Sequence, residues 1–229
     1  GRMRDGRRLA VGTLTVLPVR PPEAVDAGVA RAMVVWAPLV FVPIAALVAL
    51  VAWGVRAAGL PELATGLLGV GLLAWLTRAI HLDGLADTAD GLGSGRPAER
   101  ALQIMRSGDV GPMGVVTLIV VLGLQAVCIG ELAGRPWGVV AVAVALCAGR
   151  SALAVVAVCG APAARPDGLG AVFARSVPWW LAAILWVVLA GLLAGASELA
   201  GGAWWQGLLG AALAVGSVRY LVRLEVRSI

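Results

Sequence analysis

Six apolar stretches set what this chain can become. They run approximately over 33–55, 60–77, 113–133, 137–159, 178–197 and 203–222, and charge is nearly absent from them. About 20 apolar residues in a helix cross the roughly 30 Å hydrocarbon core of a bilayer. A soluble chain of 229 residues could not hide six such stretches from water. Hydrophobic residues are 60% of the sequence and charged ones 14%, whereas a soluble domain is about a quarter charged. The expected fold is all-α: a polytopic membrane helix bundle of about six transmembrane helices, one integral membrane domain over 1–229, with a cytoplasmic helical loop. Trp36 and Trp53 bracket the first stretch, and Trp75, Trp137, Trp179, Trp180, Trp204 and Trp205 sit near the ends of others, as interfacial aromatics do. The second stretch, ELATGLLGVGLLAW, is short and Gly-rich; Gly66, Gly69 and Gly71 suit close helix packing.

The basic residues orient the bundle, and all of them are Arg. Segments 1–32, 78–112, 160–177 and 219–229 carry six, four, two and three Arg, while the loops between carry one (Arg56), one (Arg135) and none. The positive-inside rule then places both termini and the 78–112 loop in the cytoplasm. The same asymmetry explains the net charge of +5 without a nucleic-acid partner. Cys128, Cys147 and Cys159 fall in apolar stretches without CxxC spacing and read as small buried hydrophobes. The opening GRMRDGRRLAVGTLTVLPVRPPEAVD is too polar for a signal peptide, and Met3 is the expected start.

The segment 78–112, RAIHLDGLADTADGLGSGRPAERALQIMRSGDVGP, is too long for a simple connection between bundle helices. It opens on three aspartates within eight residues. On a helix, Asp83, Asp87 and Asp90 lie within about 60° of one another. Like charges so placed repel, and they ionise together only beside a compensating cation. A solvated acidic surface is the ordinary reading of such a run; the repetition on one face beside a membrane favours a Mg²⁺ site formed by Asp83, Asp87 and Asp90. Mg²⁺ is usually held by one or two carboxylates, waters and substrate phosphates. His81 points away from the aspartates; an interfacial histidine and a catalytic one are equally good readings. Gly84 and Gly91 leave room for a ligand or a second helix. Downstream, Pro97 suits a first helical turn with Ser94 as its N-cap. Arg96, Arg100 and Arg106 accompany that helix. Ser107, Gly108 and Gly111 precede the next span, and glycines at a helix N-terminus form an anion cradle. Acids, arginines and glycine turn together suggest a metal-bound diphosphate. Arg150 falls inside the fourth stretch, either as an intramembrane charge with a function or as the interfacial end of a shorter span. Arg165, in the loop AARPDGLGAVFAR, faces the same side as the aspartates and could complete the pocket.

HLDGLADTADG followed by MRSGDVGPMG resembles the cobalamin synthase (adenosylcobinamide-GDP ribazoletransferase) family. LTVLPV at 14–19 and GR…ARPDGLG at 149–170 are similar to further blocks of it. The resemblance runs from about residue 3 to about 175. It implies a multi-pass enzyme of the bacterial inner membrane that depends on Mg²⁺. Such an enzyme joins α-ribazole, or its 5′-phosphate, to adenosylcobinamide-GDP and releases GMP. On this resemblance Asp83, Asp87 and Asp90 form the metal motif; for the reaction so implied, Arg100, Arg106 and Arg165 are expected on phosphate oxygens and Asp90 or His81 as base. One departure stands out: the family usually carries a Gly-Gly-x-Thr-Gly-Asp block near its C-terminus, and this chain ends RYLVRLEVRSI. A truncation, a frameshift or a loss is expected there, with an inactive chain if the block serves the site. Two other readings compete. A CDP-alcohol phosphatidyltransferase needs Arg where this chain has Asp87 and further Asp at longer spacing. A cation transporter would place its acids near the bilayer midplane. A homo-oligomer is compatible with all three.

Overall fold

A computed structural model describes residues 1–159 and 169–228. It is all-helical in these residues, as the hydropathy pattern predicts. The chain opens with α1 (Arg2–Leu14) and α2 (Ala27–Ala57). Next come α3 (Glu62–Leu76), α4 (Ile80–Gly93) and α5 (Ala98–Arg106), then α6 (Pro112–Ala133). After these follow α7 (Gly138–Arg150), α8 (Ala152–Cys159), α9 (Leu169–Phe173), α10 (Trp179–Leu199) and α11 (Trp204–Ser228). Five described helices are long and apolar enough to cross a membrane: α2, α6, α7 with α8, α10 and α11. The sixth expected span is a bent pair, because α4 turns away from α3 by 98°.

α3 has 15 residues, about 22 Å of helix, and so falls short of a full hydrocarbon core. Its packing depends on glycine. A side chain at Gly66 would strike the Ala126 carbonyl, and one at Gly130 of α6 would strike the Glu62 carbonyl. Gly69 meets Ile129, whereas Gly71 faces open space. Two of the three expected packing glycines therefore seat α3 on α6, as small residues do between membrane helices.

The bend between α3 and α4 is built from non-glycine residues in the left-handed region, Arg78 (φ 56°) and Ala79 (φ 54°). Each such residue carries roughly 1–2 kcal/mol of strain, so surrounding contacts must hold it. The N-terminal segment supplies them. Val16 donates its N–H to the Leu76 carbonyl (2.8 Å), and its carbonyl accepts from the Arg78 guanidinium (3.0 Å). The LTVLPV block thus clamps the turn that aims α4. The segment before it, which hydropathy leaves outside the spans, is the helix α1. Its Ala10 and Leu14 pack with Met33, Ala37 and Phe41 of α2.

Candidate active site

α4 carries the acidic motif, and each of its faces meets a different environment. Asp83 is exposed and Asp87 half-buried, one turn apart. Among the described residues neither carboxylate takes part in an ion pair or a side-chain hydrogen bond. Burial, with the neighbouring Asp83 and Asp90 charges, holds the Asp87 carboxyl above its ordinary range. α4 lies beyond the 98° bend and is not one of the five helices long and apolar enough to span on their own. Two repelling carboxylates with free oxygens, and open space over Gly84, fit a dication that brings its own waters and phosphates.

Asp90 departs from the expected set. It is 7% exposed and turned into the protein. Its Oδ2 accepts from the Gly111 N–H (2.7 Å) and its Oδ1 from the Gly114 N–H (2.8 Å). The glycine turn before α6 is therefore an anion cradle, as the sequence suggests, but the anion within it is Asp90. Among the described residues no three His, Cys, Asp or Glu side chains converge closely enough to enclose a metal ion. Of the three expected ligands, Asp83 and Asp87 are the ones whose carboxylates remain free among the described residues.

The other predicted residues divide between two cavities and the surface. A cavity of about 370 Å³ between α4, α5 and α6 is lined by Asp90, Ser94, Ser107, Asp109 and Gly111. The Ser107 hydroxyl donates to the Ile104 carbonyl. Ser94 does not cap α5. Its hydroxyl closes α4 by donating to the Gly91 carbonyl (2.7 Å), and Pro97 takes the N-cap position. Arg96, Arg100 and Arg106 are exposed, and Arg100 donates to Gln103 (2.8 Å). Gly91 packs against Met105 of α5, while Gly84 stays open.

A second cavity of about 250 Å³ lies on the opposite face of α4, beneath the bend. It brings together His81 and Arg150 with Thr77 and Gln125, two residues the sequence reading does not single out. Gln125 is the detectable one, a lone amide in an apolar span. Arg150 lies inside a span, because α8 continues the path of α7 to Cys159 after a turn at Ser151. Its guanidinium sits 4.3 Å from the centre of the Phe41 ring, a cation–π contact. Arg150 Nε and His81 Nδ1 are buried without a hydrogen-bond partner among the described residues. Arg165 lies outside the described residues.

Comparison with known proteins identifies the family. The profile of one family, cobalamin-5-phosphate synthase, matches residues 6–228. An adenosylcobinamide-GDP ribazoletransferase of Nocardioides sp. is 49% identical over 191 residues, covering 83% of this chain and 80% of the relative. A protein of the same name from Frankia casuarinae is 35% identical over 205 residues, covering 85% and 74%. Another, from Desulforamulus reducens, is 36% identical over 228 residues, covering 99% and 86%. No solved structure matches. With a family profile covering nearly its whole length and such relatives beside it, the chain belongs to the cobalamin-5-phosphate synthase family.

Proposed function

We propose that this chain transfers α-ribazole, or its 5′-phosphate, onto adenosylcobinamide-GDP with release of GMP, in the last steps of cobalamin assembly. The observation that carries the reading is the match over residues 6–228 to a family whose relatives bear that activity in their names. The acid pair on α4, at the rim of a helix bundle, supplies chemistry of the right kind. A ribazole hydroxyl forms a bond to the phosphorus on the cobinamide side of the diphosphate, the bond to the GMP oxygen breaks, and the hydroxyl proton leaves.

Asp83 and Asp87 would hold Mg²⁺. Bound there with the diphosphate, it would neutralise charge on the phosphates and on the leaving GMP. The remaining work is positioning. Arg100 and Arg106, both exposed, would meet non-bridging oxygens, with Arg96, Ser107 and Gly111 at the edge of the same region. Arg165 would join them. His81 and Arg150 would act from the chamber beneath α4. Both oxygens of Asp90 accept from backbone N–H groups, and His81 lies on the face of α4 opposite Asp83 and Asp87, so neither expected base faces the acid pair directly. Both termini and the α4–α5 segment would face the cytoplasm, in one domain within the inner membrane.

The test is product release from membranes containing the protein. GMP from adenosylcobinamide-GDP in the presence of α-ribazole is the expected result. CMP from a CDP-lipid would point to a phosphatidyltransferase, and release of neither would remove the transferase reading.

A further inference from the structure

We infer that Asp90 is a positioning residue that closes the N-terminus of α6 and pins the acid helix to it, and is not a ligand to the metal ion. The first N–H groups of any helix lack partners within it. In α6 these belong to Gly111, Pro112, Met113 and Gly114, and no side chain of the local sequence caps them. Pro112 has no N–H. Asp90, 21 and 24 residues earlier in the chain, takes the Gly111 and Gly114 donors, one on each oxygen. Only Met113 remains. The carboxylate also lies where the helix dipole favours negative charge, and its hydrogen bonds are charge-assisted.

The two glycines are the other half of the device. A Cβ at Gly111 would lie 2.5 Å from Asp90 Oδ1, and one at Gly114 would collide with Oδ2. Glycine at both positions lets the carboxylate approach the backbone. For Asp90 to serve a metal it would have to leave this pocket and abandon two donors, the part-buried Gly111 N–H and the buried Gly114 N–H. The contact instead fixes the last turn of α4 to a membrane span, while the strained bend at Arg78 and Ala79 fixes its first. Asp83 and Asp87 lie between these anchors, so their direction is set at both ends.

The metal arm of this inference rests on the proposed function; the contact between Asp90 and Gly114 does not. The test uses the full chain purified in detergent, with Asp90→Asn, Gly114→Ala, their combination, and Asp83→Asn for comparison. Asp90→Asn and Gly114→Ala are each expected to lower the thermal midpoint by about 3–6 °C. The combination should fall little further, because both changes break one contact. Mn²⁺ binding, read by electron paramagnetic resonance without substrate, should weaken at least about tenfold in Asp83→Asn and clearly less in Asp90→Asn, which removes an orienting contact and no ligand. The kcat of correctly folded Asp90→Asn should drop about 10–100-fold, as expected of misaligned groups. A change confined to folding would leave kcat per folded molecule intact and overturn the positioning role. Weakening of Mn²⁺ by Asp90→Asn to the level of Asp83→Asn, or additive midpoints, would overturn the inference. If Asp90→Asn does not fold, Gly114→Ala, which keeps the carboxylate, carries the test, and wild-type midpoint and kcat in it would overturn the inference. Unchanged Mn²⁺ binding in Asp83→Asn as well would remove the metal reading of the acid pair and leave the cap standing on the midpoints.

Discussion

Asp87 sits one turn from Asp83 and one turn from Asp90, and its carboxyl is harder to ionise than an ordinary aspartate. Burial contributes most, followed by the two neighbouring charges. A cation must meet the ionised form, so protons compete with it. If Asp87 holds a divalent ion, as proposed, the affinity would be complete above the raised value and fall as pH drops through it, from a higher pH than for a carboxyl at 3.8. The linkage to folding has the opposite sense. In metal-free protein a raised folded-state pKa means that stability declines as pH rises through that value. Asp83→Asn removes one of the like charges and should move the onset of both effects to lower pH. Mn²⁺ titrations and thermal midpoints between pH 4 and 7 check this, and an onset unmoved by Asp83→Asn contradicts it. The sequence revealed the face these acids share. It could not distinguish Asp90 from its neighbours, because its partners are backbone N–H groups 21 and 24 residues away.

At the scale of helices, hydropathy located every long span, because burial in lipid imposes one requirement on a whole segment, but it stopped six residues short at the start of α2 and at the end of α11. It missed α1, a polar helix whose apolar side rests on α2. The 98° turn after α3 was equally invisible, since it uses Arg78 and Ala79 where a glycine would have been the usual signal. Glycine composition did point to the α3–α6 contact, though not to which glycines make it. Gly66→Leu should destabilise the protein by about 3 kcal/mol, since the obstacle is the Ala126 backbone, which cannot rotate aside. Gly71→Leu, facing open space, should change stability by no more than about 0.5 kcal/mol. Thermal midpoints in one detergent compare the two, and equal losses would refute this account of the packing.

For the molecule as a whole, the positive-inside rule, applied to the Arg distribution, predicts that the rim carrying the acid helix faces the cytoplasm. In a background without native cysteines, a cysteine at position 100 should resist a membrane-impermeant maleimide in intact cells, and one at position 134 should react. The reverse pattern would invert the topology. Which residues assemble was legible where they are close in sequence, as on α4. It was not legible where distant spans meet, as at the chamber that joins His81 of α4, Gln125 of α6 and Arg150 of α7. The central claim is that Asp83 and Asp87 bring a magnesium ion to the diphosphate. Its most direct test is GMP release from adenosylcobinamide-GDP and α-ribazole by purified protein, titrated with Mg²⁺. Release should require Mg²⁺ in the wild type and fall at least about 100-fold in Asp83→Asn and in Asp87→Asn, a loss of about 2.7 kcal/mol in transition-state stabilisation. Release that persists in a chelator, or survives in either variant with an unchanged Mg²⁺ requirement, would contradict it.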